Sequence, residues 1–142
     1  MAYDKPVPKP VPVVDADSAP YWEGAKAGRL MIQRCRETGR TFLYSRRLVP
    51  GAPKSNSGEA DWIEASGEGE VYSWTVARRP AGPAFKGDVP YVIASVTLAE
   101  GARIMANIVT DDPDGVHIGQ KVRVFFDRAS DDLTVPKFRP AG

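Results

Sequence analysis

Residues 70–79 read EVYSWTVARR, and this stretch decides the fold. Val71, Ser73, Thr75 and Ala77 fall on one side of an extended chain and Tyr72, Trp74 and Val76 on the other, the period of two that marks a strand. The larger side chains of the second set are expected to face the core. Downstream, YVIASVTL (91–98) and RIMANIVT (103–110) are further strand candidates, joined by AEGA, whose Glu100-Gly101 predicts a hairpin turn. KVRVFFDR (121–128) sets Val122, Val124 and Phe126 against Lys121, Arg123, Phe125 and Asp127, one apolar face and one largely polar. DLTVPKFRP (132–140) predicts a last strand at an edge, because Pro136 is ill suited to a central ladder. Five strands across 70–138, with no long crossover helix between them, predict a mainly β chain and an open or partly closed antiparallel barrel.

A smaller unit precedes the barrel. YWEGAKAGRLMIQR (21–34) predicts a helix of one or two turns after Pro20, with Tyr21, Trp22, Ala25 and Arg29 along one side. Leu30, Ile32 and Arg34 then alternate with Met31, Gln33 and Cys35 in a strand that ends at the turn Glu37-Thr38-Gly39. TFLYSRRL (41–48) returns as the second hairpin arm, Phe42 and Tyr44 facing one way and Leu43 the other. VPGAPKSNSGEAD (49–61) is a turn-rich connection. Prolines at 6, 8, 10, 12 and 20 predict an extended N-terminal arm. Its valines at 7, 11, 13 and 14 suit the body of the protein or a partner, with a frayed terminus as the alternative.

Composition removes several classes of function. For 142 residues the surface scaling rule buries roughly two-thirds of the extended chain's surface, enough for one core without a metal or disulfide. Nineteen basic and eighteen acidic residues leave a formal charge of +1, so no general nucleic-acid footprint is imposed. A single cysteine, Cys35, allows no internal disulfide, and the opening MAYDKPVPKPVPVV has no signal-peptide pattern. No window of 18 apolar residues predicts a membrane span, and cytoplasmic residence is the default expectation.

Catalytic signatures are missing: there is no GxSxG, HExxH, P-loop or dinucleotide fingerprint. His117, in PDGVHIG, reads as an exposed or locally bonded loop residue. Arg34 and Arg36 flank Cys35 on a strand and point to the opposite face, so they do not activate its thiol. Asp111, Asp112, Asp114, Asp131 and Asp132 read as solvated loop residues. In SGEGEV (66–71), Glu68 and Glu70 would repel phosphate, and the glycines suit tight backbone geometry. Arg78, Arg79 and Lys86 bracket an adaptable loop near Phe85 and are candidate contacts for an anionic ligand head.

YWEGAKAGRLMIQRCRETG, YSRRLVP, W-x4-GEGEVYSWTV from Trp62, PYVIASVTLAEGARIMANI, and GQKVRVFF ahead of PKF together span residues 20–138. In this order and spacing the chain resembles the DUF35 family, a rubredoxin-type zinc ribbon followed by an OB-fold. The family's ribbon reads C-x2-C-G and then C-P-x-C. Here the four positions hold Cys35, Thr38 before Gly39, Val49 before Pro50, and Ala52. Threonine, valine and alanine cannot complete a tetrahedral zinc site, so no structural zinc is expected. Packing by Phe42, Tyr44 and Leu48 is expected to hold the ribbon shape instead.

The resemblance implies an arm over 1–19, a short helix and metal-free ribbon-like unit over 20–60, and a five-stranded OB-fold barrel over 61–142. It further implies a non-catalytic accessory or scaffold protein that binds a thiolase-like or hydratase-like partner and the CoA part of an acyl-CoA, with no tightly bound cofactor. Arg78, Arg79 and Lys86 would attract CoA phosphates and Tyr91 or Trp74 would supply an aromatic contact; these assignments rest on charge and loop position. Edge strands leave a homodimer open. Two other readings stand beside it: a single-stranded nucleic-acid-binding OB-fold, and an autonomous acyl-CoA enzyme.

Overall fold

The computed structural model describes residues 7–46, 49 and 59–142. An α-helix, α1 (Ala19–Lys26), leads into β1 (Met31–Cys35), β2 (Thr41–Phe42) and β3 (Ala60–Glu64), which form an antiparallel sheet in the order β2-β1-β3. Then β4 (Glu68–Ala77), β5 (Tyr91–Leu98), β6 (Arg103–Ile108), β7 (Lys121–Arg128) and β8 (Thr134–Pro140) close into a barrel in the order β4-β5-β6-β8-β7. Closure with β8 between β6 and β7 is the arrangement of an OB-fold.

Local chemistry places these elements. Asp15 and Ser18 bond reciprocally, the Ser18 amide donating to Asp15 Oδ1 at 2.8 Å, which turns the arm into α1. That exchange, chiefly with Ser18, holds the Asp15 carboxyl below its ordinary value. The helix stops at Lys26, and Gly28, at φ 76°, takes the left-handed turn that leads to β1. Arg29 therefore leaves the helical face expected for it. At the barrel entrance Gly67 sits at φ 83°, and a Cβ on Gly69 would lie 2.9 Å from the Thr97 carbonyl oxygen. Gly69 thus serves a tight approach of β4 to β5, and Gly67 a close approach to Val124 on β7.

The two sheets share one core. Leu30, Ile32 and Ala65 belong to the same buried cluster as Val71, Val92, Ala94, Val96, Val122 and Phe138, with Tyr21, Leu43 and Ile63 packed against it. α1 lies against β1, β7 and β8. Each buried Leu, Ile, Val or Phe contributes about 1.5–3 kcal/mol, so the small sheet is anchored largely by what it inserts beside the barrel.

Four expectations need correction. First, Val71 is 1 % exposed and Tyr72 is 52 % exposed, the reverse of the expectation for these two residues, whereas Val76 packs against the core as expected. A β-bulge is the cause: Val71 pairs with Val96 and Ser73 with Ser95, so Tyr72 is an extra residue that turns outward. Second, β8 is no edge strand, since it pairs with β7 along its whole length and meets β6 at Ile108–Phe138. Third, the second hairpin arm ends as a strand at Phe42, because Tyr44 adopts φ 69° and breaks the alternation; Tyr44 is exposed while Leu43 packs on the core. Leu48, expected to help hold this unit, lies outside the described residues. Fourth, the connection expected over 49–61 gives way at Ala60 to a strand that pairs residue for residue with Met31–Cys35.

Candidate functional site

The ribbon turn comes first because the family resemblance bears on it. Cys35 ends β1, its amide donating to the Arg40 carbonyl at 2.8 Å and its carbonyl accepting from the Gly39 amide at 2.9 Å. The side chain is buried, and the Thr38 hydroxyl and amide hydrogen-bond to its sulfur. The hydroxyl bond is the larger cause of a thiol pKa lowered from the ordinary value, against burial and the Glu37 charge, which act upward. Val49, at the third ligand position, presents a buried branched hydrocarbon; Ala52 lies outside the described residues. This donor set does not fit a tetrahedral zinc: one sulfur is present, already engaged by its neighbour, and the adjoining positions offer a hydroxyl and a methyl-bearing carbon. Among the described residues no group of three or more His, Cys, Asp or Glu side chains could hold a metal ion.

Other contacts hold the turn. Gln33 is buried, and its side-chain amide bonds both ways to the Arg46 backbone, donating to the carbonyl and accepting from the amide at 3.0 Å each. Arg36 reaches across to Asp61 at 2.8 Å and to Glu59. Thr41 Oγ1 donates to the Glu100 carbonyl at 2.7 Å, and Glu100 Oε2 accepts from the Ser66 amide at 2.9 Å. Glu100 in the β5–β6 turn thereby ties the ribbon sheet and the chain entering β4 to the barrel.

The second region is the loop between β4 and β5. Arg78 and Arg79 leave β4, Lys86 follows a 3-10 turn (Pro83–Phe85), and Tyr91 opens β5. One loop therefore carries all four residues chosen from the sequence. Their engagements differ: Arg78 is ion-paired with Asp114 on the β6–β7 connection. Tyr91 accepts a hydrogen bond from the Ala81 amide at 3.3 Å, and its ring lies 6.3 Å from that of Phe85. The arm also reaches this loop, Lys9 meeting Asp88 at 2.6 Å and lying over the Phe85 ring at 5.9 Å. Lys9 and Asp88 were not singled out from the sequence, and Asp114 and Glu100 were read only as a solvated loop residue and a turn residue, since each contact crosses a long chain separation that alternation does not encode. Trp74, opposite Ala94 in register, is 38 % exposed. His117 is exposed, its Nδ1 donating to the Gly115 carbonyl at 3.0 Å, as a locally bonded loop residue would.

Comparison with known proteins agrees with this architecture. Residues 22–48 match the family model "ChsH2, rubredoxin-like zinc ribbon domain" and residues 62–127 match "ChsH2, C-terminal OB-fold domain". A "Probable enoyl-CoA hydratase alpha subunit" of Thermomonospora curvata is 42 % identical over 135 residues, which is 94 % of this chain and 40 % of that protein. A "DUF35 domain-containing scaffold protein" of Methanocaldococcus jannaschii is 37 % identical over 99 residues, 70 % of this chain and 68 % of the relative. Among solved structures, a chain of the "Ltp2-ChsH2(DUF35) aldolase" superposes with a TM-score of 0.80 at 39 % identity, covering 93 % of this chain and 100 % of that one. A Sulfolobus solfataricus protein of the DUF35 family shares the fold at a TM-score of 0.61 and 15 % identity, covering 90 % and 87 % of the two chains. With both of its units matched and the relatives aligned along most of its length, the chain belongs to the DUF35 family, as a ChsH2-type OB-fold protein whose ribbon has lost its metal ligands.

Proposed function

We propose that this chain is a non-catalytic scaffold subunit that docks on a thiolase-like or hydratase-like enzyme of acyl-CoA metabolism. The observation that carries this reading is the likeness, over 93 % of the chain, to the DUF35 component of an aldolase. In this reading the bond chemistry resides in the partner. The β4–β5 loop contributes to the CoA end of the substrate: Arg79 and Lys86 attract phosphates, Arg78 does so when released from Asp114, and Tyr91 offers its ring. The working division is an arm over 1–19, a ribbon unit over 20–60 and a barrel over 61–142, with Ala60–Glu64 lending its strand to the ribbon sheet. Cytoplasmic residence is part of the same proposal; what supports it is that no helix among the described residues is long and apolar enough to cross a membrane.

The test is capture of the tagged chain from native cells, followed by reconstitution. A thiolase-like or hydratase-like enzyme is expected to co-purify in stoichiometric amount, and the recombined proteins are expected to turn over an acyl-CoA that neither converts alone. Exchange of Arg79 and Lys86 for glutamate is expected to raise the KM for the acyl-CoA about tenfold while the complex persists, a loss of about 1.4 kcal/mol. An isolated chain that is an active enzyme without a partner overturns the scaffold reading.

A further inference from the structure

The outer face of β4, β5 and β6 carries residues that the fold does not use. At its centre the bulge residue Tyr72 turns outward, and the Arg103 guanidinium lies over its ring at 3.6 Å from the centroid. Arg103 stands on β6 opposite Thr97, and its Nε donates to Thr97 Oγ1 at 3.2 Å, so the side chain is laid across β5 and fixed at both ends. In the next row Ser73, Ser95 and Met105 stand opposite one another. The small serines leave the backbone approachable, and Met105 projects beside them at 64 % exposure.

What distinguishes Arg103 is its place on this face, stacked on Tyr72 and bonded to Thr97 with no carboxylate partner among the described residues. Lys9, Arg36, Arg78, Lys121, Arg123, Arg128 and Lys137 each meet a carboxylate of the chain. Arg103 meets none among the described residues; its bonds are to a ring and a neutral hydroxyl. Glu70, the acidic residue in the same row, is engaged by Lys121. Tyrosine, arginine and methionine are the side chains enriched where proteins meet, and an arginine already held in one conformation loses little entropy on binding.

We propose that this face, centred on the Tyr72–Arg103 stack and Met105, is where the chain docks on its enzyme partner, which presents a carboxylate to Arg103 and an apolar side chain to Met105. The proposal rests on the scaffold reading and adds to it the surface and the complementary chemistry. The β-bulge then has a binding role: it re-aims Tyr72 from the core to the docking surface.

The experiment measures binding of the purified chain to recombinant Ltp2, the protein named with the DUF35 chain in the solved relative, by titration calorimetry and light scattering. The variants are Arg103→Glu, Met105→Ser and, as a matched control, Arg139→Glu. Arg139 lies on β8, is likewise stacked on an aromatic ring (Phe125, 4.0 Å), and likewise meets no carboxylate among the described residues. All three sites are exposed, and thermal melts check that each variant folds. Arg103→Glu is expected to weaken binding at least tenfold, Met105→Ser about threefold, and Arg139→Glu less than twofold. Wild-type binding that survives both Arg103→Glu and Met105→Ser within twofold sinks the proposed face and leaves the scaffold reading intact. No wild-type binding counts against the scaffold reading and takes the face with it. A wild-type homodimer abolished by Arg103→Glu assigns the face to self-association and overturns the proposal as well.

Discussion

In the barrel, strands close on one another around Val71, Val92, Val96, Val122 and Phe138. In the ribbon sheet, β2 contributes two residues and the following chain is held by the paired bonds of Gln33 to Arg46. The barrel is stabilised by area removed from water, spread over many contacts. The ribbon depends on a few polar bonds and on Leu30 and Ile32, which it inserts into the common core. A relative with a coordinated ion would concentrate that burden at one point. Here the Cys35–Thr38 bond, the Gln33–Arg46 pair and the Glu100 tie distribute it, and the inner strand of the ribbon is part of the larger core.

The comparison breaks most visibly in the barrel. Phe138→Ala empties the centre of β8, where the side chain is fully buried, and is expected to cost about 3–5 kcal/mol. Chemical denaturation monitored by tryptophan fluorescence and by amide exchange should show loss of protection in both sheets together. Loss confined to β7 and β8 would mean that the ribbon and barrel do not share a cooperative core.

A smaller effect sharpens the ribbon side. Gln33→Ala removes both bonds to Arg46 and leaves the Arg46 amide and carbonyl to find other partners, at about 1–3 kcal/mol. Amide exchange should accelerate around residues 41–46 while β5 and β6 keep their protection. Uniform destabilisation would place Gln33 in the barrel's cooperative unit.

The smallest effect at neutral pH concerns the junction. Tyr21, packed on the common core, has its phenol pushed well above the ordinary value of 10.0, by burial first and by Tyr44 second. Above pH 10 the unfolded chain releases this proton and the folded chain keeps it, so unfolding is favoured. The Tyr21 contribution is intact below pH 10 and is lost as pH rises from there toward the raised value. Tyr21→Phe is expected to flatten the decline in stability between pH 10 and 11.5, measured by urea titration; an unchanged slope would show that Tyr21 does not titrate differently on folding.

Particular elements show what was legible. The strands at 31–35, 91–98, 103–108 and 121–128 carry their alternation in the side chains, and the ribbon's missing ligands are visible residue by residue at Thr38, Val49 and Ala52. The loop holding Arg78, Arg79, Lys86 and Tyr91 was also visible, from its prolines and glycines. Asp114 and Lys9 as neighbours of that loop were not, because ion pairs between exposed residues leave no local signature. The Val71–Tyr72 end of β4 was misread because a bulge inserts one residue without altering composition, so the parity that holds at Val76 does not carry back across it.

The sequence by itself determined a mainly β chain with a barrel, a helix before the first strand, and a ribbon turn that lacks zinc ligands; these follow from side-chain period and from the donor chemistry of single residues. Only the tertiary structure decided that β8 lies between β6 and β7, that Ala60–Glu64 completes the ribbon sheet, and that Tyr72 faces outward under Arg103. Those outcomes depend on which strands meet and in what register, and pairing energy between distant segments is a property of the packed chain rather than of any window along it.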